Sequence, residues 1–130
     1  MDETRRSRIA SRILREVSEL HTRGEIKDHR IDPLISFSFV KIAKDGSVAR
    51  IGVSSMDDKP HRLTRAVEGL NSAAGYIQGR LGSVLRMRTT PRVYFVEDHS
   101  VAEAQDVIRK IDAVIGDDLG NSGPEQTPRP

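Results

Sequence analysis

The chain has no cysteine and no tryptophan, and its only aromatic residues are two tyrosines and three phenylalanines. Without cysteine, a disulfide-stabilised scaffold, a thiolate metal site and a cysteine nucleophile are all excluded. No uninterrupted apolar run approaches the roughly 18 residues of a membrane-spanning helix. Because the N-terminus is charged instead of apolar, we also expect no signal peptide. These features together predict a cytoplasmic protein with no membrane segment.

The residue patterns of common catalytic sites are also missing. Histidines at positions 21, 29, 61 and 99 include no pair at metal-ligand spacing. Asp98, His99 and Ser100 are the residue types of a hydrolytic triad, but consecutive residues cannot form its proton relay. Ser100 with Glu103 three residues later is instead typical of a helix capping box. Phosphate-loop and dinucleotide-binding motifs are absent, so the sequence predicts a protein that is not an enzyme and needs no cofactor.

The apolar periodicity predicts one domain over residues 1–115 and a disordered tail over residues 116–130. The tail is rich in glycine, proline and polar residues and has no periodicity. Within the domain the pattern predicts the order helix, strand, strand, helix, broken helix, strand, helix. This order favours an α+β fold in which a small three-stranded sheet carries helices on one face.

The first predicted helix spans residues 4–22 and ends at Gly24, which suits the left-handed conformation of a C-terminal cap. Its core-facing residues recur at helical spacing: Ile9, Ile13, Val17 and Leu20. A different face of the same helix carries Arg5, Arg8, Arg12 and Arg15. This arginine face is typical of a solvated surface, or of an arm that lies along a phosphate backbone.

The strands are predicted from period-two alternation on either side of an Asp-Gly turn at residues 45–46. Alternation in the first strand places Ile35, Phe37 and Phe39 on one face. We expect Phe37, Phe39 and Phe95 to lie in the core, which leaves Tyr76 as the exposed aromatic candidate for stacking on a base.

Positive charge is concentrated in residues 59–96, where Glu68 is the single acid. The net charge of this segment is about +6, whereas that of the whole chain is +2. Such concentration on a small domain predicts binding to phosphate groups. The basic residues are Lys59, Arg62, Arg65, Arg80, Arg86, Arg88 and Arg92.

Three glycines interrupt the long helical stripe that follows Pro60. A helical glycine costs about 1 kcal/mol relative to alanine, so a break or a close backbone approach is predicted either at Gly75 or at the pair Gly79 and Gly82. The stretch at residues 79–82 (GRLG) is similar to the GxxG loop of K-homology RNA-binding domains, whose glycines let the backbone approach phosphates.

Four further segments, taken in order, resemble the ribosome-binding factor A family. Residues 25–30 (EIKDHR) are similar to that family's EIKDPR, with His29 where proline is usual, and residues 43–51 are similar to its SRDLxxAKV hairpin. Residues 85–91 (LRMRTTP) resemble MRLRxxP, and residues 95–100 (FVEDHS) resemble FxxDxS. The resemblance covers about residues 5–112.

The resemblance implies a type II K-homology-like fold whose GxxG loop is replaced by an Ala-x-Gly interhelical kink, matched here by Ala73, Ala74 and Gly75. It implies a monomeric factor, not an enzyme, that binds the free small ribosomal subunit and its ribosomal RNA and assists late RNA processing and subunit maturation. The expected RNA contacts are the kink and Arg62, Arg65, Arg80, Arg86, Arg88 and Arg92. Additional contacts are expected from Arg5, Arg8, Arg12, Lys27 and Arg30.

Two alternative functions fit parts of the sequence. One is a K-homology protein that binds single-stranded RNA through the GRLG stretch, in which case Gly79 and Gly82 are essential. The other is a protein–protein adaptor that uses the helical surface of residues 61–85. Binding by the adaptor would resist ribonuclease and depend only weakly on salt.

Overall fold

The structure, a computed structural model, describes the backbone of residues 1–57 and 59–122 and the side chains of this region up to residue 115. Its elements follow the order predicted from the sequence and form an α+β fold. In chain order they are α1 (Glu3–Thr22), β1 (Ile35–Ile42), β2 (Val48–Ser55), α2 (Pro60–Ser72), α3 (Ala74–Leu85), β3 (Arg92–Glu97) and α4 (Ser100–Ser122).

Helix α1 is closed by a cap at each end. The Asp2 carboxylate accepts a hydrogen bond of 2.9 Å from an amide of the first turn. At the other end Gly24 adopts φ +71°, and the N–H groups of Gly24 and Glu25 donate to the carbonyls of His21 and Leu20. This pair of bonds is the Schellman motif, so the predicted role of Gly24 is confirmed. The predicted core residues are all buried: Ile9, Ile13, Val17 and Leu20.

Strand β2 lies at the centre of the sheet, antiparallel to β1 and parallel to β3. Gly46 adopts φ +77° in the β1–β2 turn, as the Asp-Gly signal predicted. Helices α2 and α3 form the crossover that parallel pairing of β2 and β3 requires. Together with α1 they pack on one face of the sheet. The core between the two layers includes Ile13, Val17, Ile51, Val53, Leu70, Ile77, Leu81 and Phe95.

A β-bulge in β1 changes which side chains face the core. The pairing register with β2 shifts between Phe37 and Phe39, and an extra residue in one strand reverses the inward and outward alternation beyond it. Phe37 therefore packs in the core with its ring centroid 5.9 Å from that of Phe95, whereas Phe39 pairs with Gly52 on the opposite face. The prediction that Phe39 lies in the core was wrong, because apolar alternation alone does not reveal a bulge.

The long helical stripe is divided at one residue. Helix α2 ends at Ser72, Ala73 leaves the helical conformation with φ −89° and ψ 3°, and α3 begins at Ala74. The predicted Ala-Ala-Gly kink at residues 73–75 is therefore present.

Helix α4 begins at Ser100, where the capping signal predicted a start, and continues to Ser122. Residues 116–122 are thus helical, although the sequence predicted that the tail begins there. The rest of the predicted tail, residues 123–130, lies outside the described residues, and the division into domain and tail stays a prediction. Val107, Ile108 and Val114 of α4 are exposed. Among the described helices none combines the length and the apolar character that crossing a membrane requires.

Candidate nucleic-acid interface

The GRLG stretch does not form a loop. Gly79 and Gly82 both lie inside the continuous helix α3, and neither takes a positive φ. The alternative of a GxxG loop at residues 79–82 is therefore contradicted by the structure. The physical reason is that the helix already breaks at Ala73, and the buried stripe Ile77, Leu81 and Leu85 holds α3 together across both glycines.

Helix α3 ends at an arginine in an unusual conformation. Arg86 is the one non-glycine residue of the described chain with a positive φ, 49°, and its N–H lies 3.4 Å from the carbonyl of Gly82. At the end of a helix, glycine is usually the only residue that adopts this left-handed backbone conformation without an energetic cost. The left-handed turn starts residues 86–92, which we name the arginine segment. Its three arginines, Arg86, Arg88 and Arg92, are all exposed.

Two side-chain amides fix this segment against the helices. Gln78 donates to the carbonyl of Pro91 at 2.7 Å and accepts from the N–H of Val93 at 3.0 Å. Asn71 makes the equivalent pair of bonds further along the strand, donating to the carbonyl of Phe95 at 3.1 Å and accepting from its N–H at 2.9 Å. Each amide bonds backbone N–H and C=O groups at the edge of β3, as a neighbouring strand would. The end of the arginine segment therefore has a defined position relative to the helices on both sides of the kink. Neither amide was predicted from the sequence as part of the site.

The loop before β1 is hydrogen-bonded to the end of α2, directly before the kink. The Arg30 guanidinium donates to both carboxylate oxygens of Asp28, at 3.0 and 2.7 Å, and to the hydroxyl of Ser72 at 2.9 Å. Gly69 of α2 permits this approach, because a Cβ there would lie 3.0 Å from Ile31 and 3.1 Å from Asp28. This loop is the EIKDHR segment, and its acidic and basic residues hold the residue that precedes the kink.

The Asp28–Arg30 pair predicts a specific dependence of stability on pH. The hydrogen bonds from Arg30 hold the pKa of the Asp28 carboxyl well below its usual range. A depressed pKa in the folded state contributes stability above the unfolded pKa of about 4, and this contribution is lost as the pH falls through the folded pKa. We therefore expect Asp28→Asn to be less stable than the natural chain at pH 7, with the difference shrinking below about pH 4. Urea unfolding across this pH range measures it, and a difference that does not change with pH would exclude this pair as its source.

Apart from Arg12, which is described below, the basic residues predicted to bind RNA fall into two groups. In the described part of the chain, a first group is exposed and has no ion-pair partner: Arg5, Arg8, Lys27, Arg65, Arg86, Arg88 and Arg92. In a second group the guanidinium is already engaged. Arg62 pairs with Asp57 at 2.8 Å, and Arg80 pairs with Glu25 at 3.5 Å. Arg30 pairs with Asp28, as described above.

One contact joins the N-terminal arginines to the arginine segment. The Arg12 guanidinium lies 3.4 Å from the carbonyl of Val84 in the last turn of α3, where a positive charge complements the helix dipole. Arg8 lies one turn before Arg12 on the same face of α1, and Arg86 follows Val84 by two residues. The structure therefore places arginines that are far apart in sequence on adjoining elements. We name this set the basic surface: Arg5, Arg8, Arg12, Arg86 and Arg88.

The exposed face of the first turns of α3, after the kink, is open. Within the described residues, no other part of the fold lies within 4 Å of the position that a Cβ would take at Gly75 or Gly79, so no packing contact there requires glycine. Tyr76, the predicted stacking candidate, is 47% exposed between them. The helix thus presents bare backbone next to an exposed aromatic ring.

Comparison with known proteins gives one consistent family. The family model described as ribosome-binding factor A matches residues 5–111. A protein of that name from Treponema denticola is 34% identical over 114 residues, which cover 88% of this chain and 86% of the relative. Another, from Treponema pallidum, is 38% identical over 105 residues, covering 81% and 82%.

Solved structures agree with the sequence relatives. The crystal structure of ribosome-binding factor A from Thermus thermophilus superposes with a TM-score of 0.57 at 25% identity, covering 71% of this chain and 94% of that one. A homology model of the Thermus thermophilus factor, fitted into the cryo-EM map of a 30S complex of that protein, gives a TM-score of 0.55 at 24% identity, with 69% and 91% covered. The fold is thus the type II K-homology-like fold with an interhelical kink at residues 73–75.

Proposed function

Because this chain belongs to the ribosome-binding factor A family, we propose that it binds the free small ribosomal subunit and assists late processing of its ribosomal RNA and maturation of the subunit. The 30S complex named above is a property of the Thermus thermophilus protein, and its transfer to this chain is part of the proposal. In this proposal the protein works as a monomer in the cytoplasm and is not an enzyme.

The observation that carries the proposal is the basic surface. Arg8, Arg86 and Arg88 are exposed to solvent without an ion-pair partner in the described part of the chain, and Arg12 connects their two elements. An arginine can donate two parallel hydrogen bonds to one phosphate. Arginines without an ion-pair partner on two adjoining elements can therefore bind phosphates of two RNA strands. Arg5 belongs to the same surface, and Arg65, Arg92 and Lys27 are assigned phosphate contacts beyond it.

The paired arginines receive a different role. Arg30, Arg62 and Arg80 are each neutralised by an acid of the chain, and moving them to a phosphate would require breaking these ion pairs. We therefore assign Arg30 to the loop that holds the kink, and we rank Arg62 and Arg80 below the unpaired arginines as RNA contacts.

The kink and the glycines that follow it form a second part of the proposed interface. Glycine in a helix costs about 1 kcal/mol relative to alanine, yet Gly75 and Gly79 lie over open space. A phosphate backbone that approaches the helix closely accounts for both, since any side chain would hold it away. Recognition in this proposal depends on RNA shape and charge, with Tyr76 as the exposed ring beside the kink.

Co-sedimentation of the full chain with purified small subunits, large subunits and assembled ribosomes tests the proposal. We expect binding that is confined to free small subunits and that weakens steeply as the salt concentration rises. Equal binding to all three particles would contradict the proposed partner. Binding that persists after ribonuclease treatment and is insensitive to salt would favour the protein adaptor instead.

A further inference from the structure

The outer face of the sheet, opposite the core, carries a second group of cations and rings. Lys41, Arg50 and Tyr94 are paired directly across the three strands, Lys41 with Arg50 and Arg50 with Tyr94. They therefore form one row that crosses the sheet. In the adjacent row Phe39 pairs with Gly52, and Arg92 lies next to Tyr94 on the same face of β3.

Phe39 positions the two cations of this row. Its ring lies over Gly52, where a Cβ would overlap the ring, so the ring covers the bare backbone of β2. The Lys41 ammonium and the Arg50 guanidinium lie 5.3 and 5.8 Å from the ring centroid, which is within cation–π range. The ring thus holds two positive groups at the surface without neutralising them.

Charge and exposure identify the kind of ligand that this face suits. The outward-facing strand residues include three cations and no acid, and within the described chain no ion pair neutralises Lys41, Arg50 or Arg92. Tyr94 is 42% exposed beside Arg50. A depression of about 390 Å³ lies between the edge of β1 and Tyr94, lined by Lys41, Ile42, Ala43, Val48, Arg50 and Tyr94.

We propose that this outer face of the sheet binds single-stranded RNA, with an unpaired base stacked on Tyr94 and the flanking phosphates held by Lys41, Arg50 and Arg92. A ring between unneutralised cations is the arrangement that unpaired nucleotides require, because every base offers a face for stacking and every linkage a negative charge. A duplex is excluded by the same geometry, since its bases are already stacked on one another. Arg92 makes this face continuous with the arginine segment, so one RNA strand leaving the basic surface could reach the sheet.

Tyrosine fluorescence gives a signal that is local to this site. The chain has no tryptophan and two tyrosines, so in the Tyr76→Phe variant Tyr94 is the sole intrinsic fluorophore of this kind. We expect an oligouridylate of about ten nucleotides to quench Tyr94 emission to saturation, and the midpoint of the titration to rise with salt. A duplex RNA of equal length should quench far less. No saturable quenching by the single strand, or equal quenching by the duplex, would overturn the proposal.

Two double variants with the same loss of charge distinguish RNA recognition by this face of the sheet from a non-specific effect of net charge. In the same background, Lys41→Ser with Arg50→Ser should weaken the quenching titration about tenfold or more, whereas the charge-matched control Arg109→Ser with Lys110→Ser should stay within about twofold. Equal losses in the two double variants would overturn the proposal.

A second pair of variants tests stacking at an exposed position of the sheet. With a fluorescently labelled oligouridylate, Tyr94→Ser should lose about tenfold in affinity and Tyr94→Phe should retain it. Unchanged affinity in Tyr94→Ser would overturn the proposal. Failure of small-subunit co-sedimentation would contradict the proposed function and leave these single-strand results intact, so the two claims fail separately.

Discussion

Replacing Arg8, Arg86 and Arg88 together with serine is expected to weaken binding to the purified small subunit by roughly a hundredfold or more. Each arginine is exposed and unpaired in the described chain, so its removal takes away a phosphate contact without leaving a buried charge. A charge-assisted contact contributes about 1 kcal/mol or more, and three of them amount to at least this factor. Co-sedimentation at fixed low salt measures the dissociation constant.

The matched control removes the same charge from other elements. Arg23→Ser, Arg109→Ser and Lys110→Ser together should change the dissociation constant by no more than about threefold. The midpoint of thermal unfolding should shift by only a few degrees in either triple variant, because exposed substitutions change stability by about 0.5 kcal/mol or less each. Equal weakening by the two triple variants would contradict a localised basic surface and indicate a non-specific effect of net charge.

Replacing Gln78 with methionine is expected to lower the free energy of unfolding by about 2–4 kcal/mol. Methionine keeps the length and much of the volume of the side chain but removes both hydrogen bonds to β3. The N–H of Val93 and the carbonyl of Pro91 then lose their partner in a buried setting, and an unsatisfied buried backbone group costs about 1–3 kcal/mol. Urea unfolding at pH 7 measures the change.

The same substitution at an exposed position is the control for Gln78→Met. Gln105→Met on α4 should stay within about 0.5 kcal/mol of the natural chain. If Gln78→Met also lies within this range, the amide is not what holds β3 to α3. We expect Gln78→Met also to weaken small-subunit binding at temperatures where it is folded, because the arginine segment loses its fixed position beside the kink.

Local signals in the sequence predicted most of the fold. Gly24 ends α1 because its left-handed φ closes a Schellman motif, which is a property of a few neighbouring residues. The same holds for the Asp-Gly turn and for the buried stripe that continues from α2 into α3. The position of the break did not follow from local signals, which left Gly75 and the pair Gly79 and Gly82 open, and the kink at residues 73–75 was implied by the family resemblance.

The bulge in β1 is where the sequence prediction failed. Ile35, Phe37 and Phe39 alternate without interruption in sequence, so period-two reasoning places them on one face. Only the pairing with β2 shows that an extra residue separates Phe37 from Phe39. Gly52, opposite Phe39, was the available signal, because a glycine within a predicted strand often marks a bulge or a close approach.

The candidate site was less predictable than the fold, because ion pairs join residues that are distant in sequence. Arg80 meets Glu25 across the fold, and no spacing rule connects them. Arg86 and Arg88 lie in the same basic stretch of sequence as Arg80, but they have no ion-pair partner in the described chain. Asn71 and Gln78 could have been found, since two amides seven residues apart lie two helical turns from each other in the helical stretch that precedes β3.

The EIKDHR segment has a structural explanation in this protein. Asp28 and Arg30 form a closed pair that reaches Ser72, the last residue of α2. The segment therefore braces the helix end immediately before the kink, while Gln78 braces the helix that follows it. His29, which stands where the family usually has proline, is exposed between the two paired residues. The loop is thus fixed by hydrogen bonds on both sides of this position.

In the proposed function, phosphate contacts on the basic surface bind the free small subunit. The most direct test is the slope of log K against log salt concentration for small-subunit binding, measured for the natural chain and for the Arg8, Arg86, Arg88 triple variant. Each lost phosphate contact should reduce the magnitude of the slope by about 1. We predict a steep slope for the natural chain and a slope shallower by about 2–3 for the variant. Two equal slopes, or binding of the natural chain that does not depend on salt, would contradict the claim.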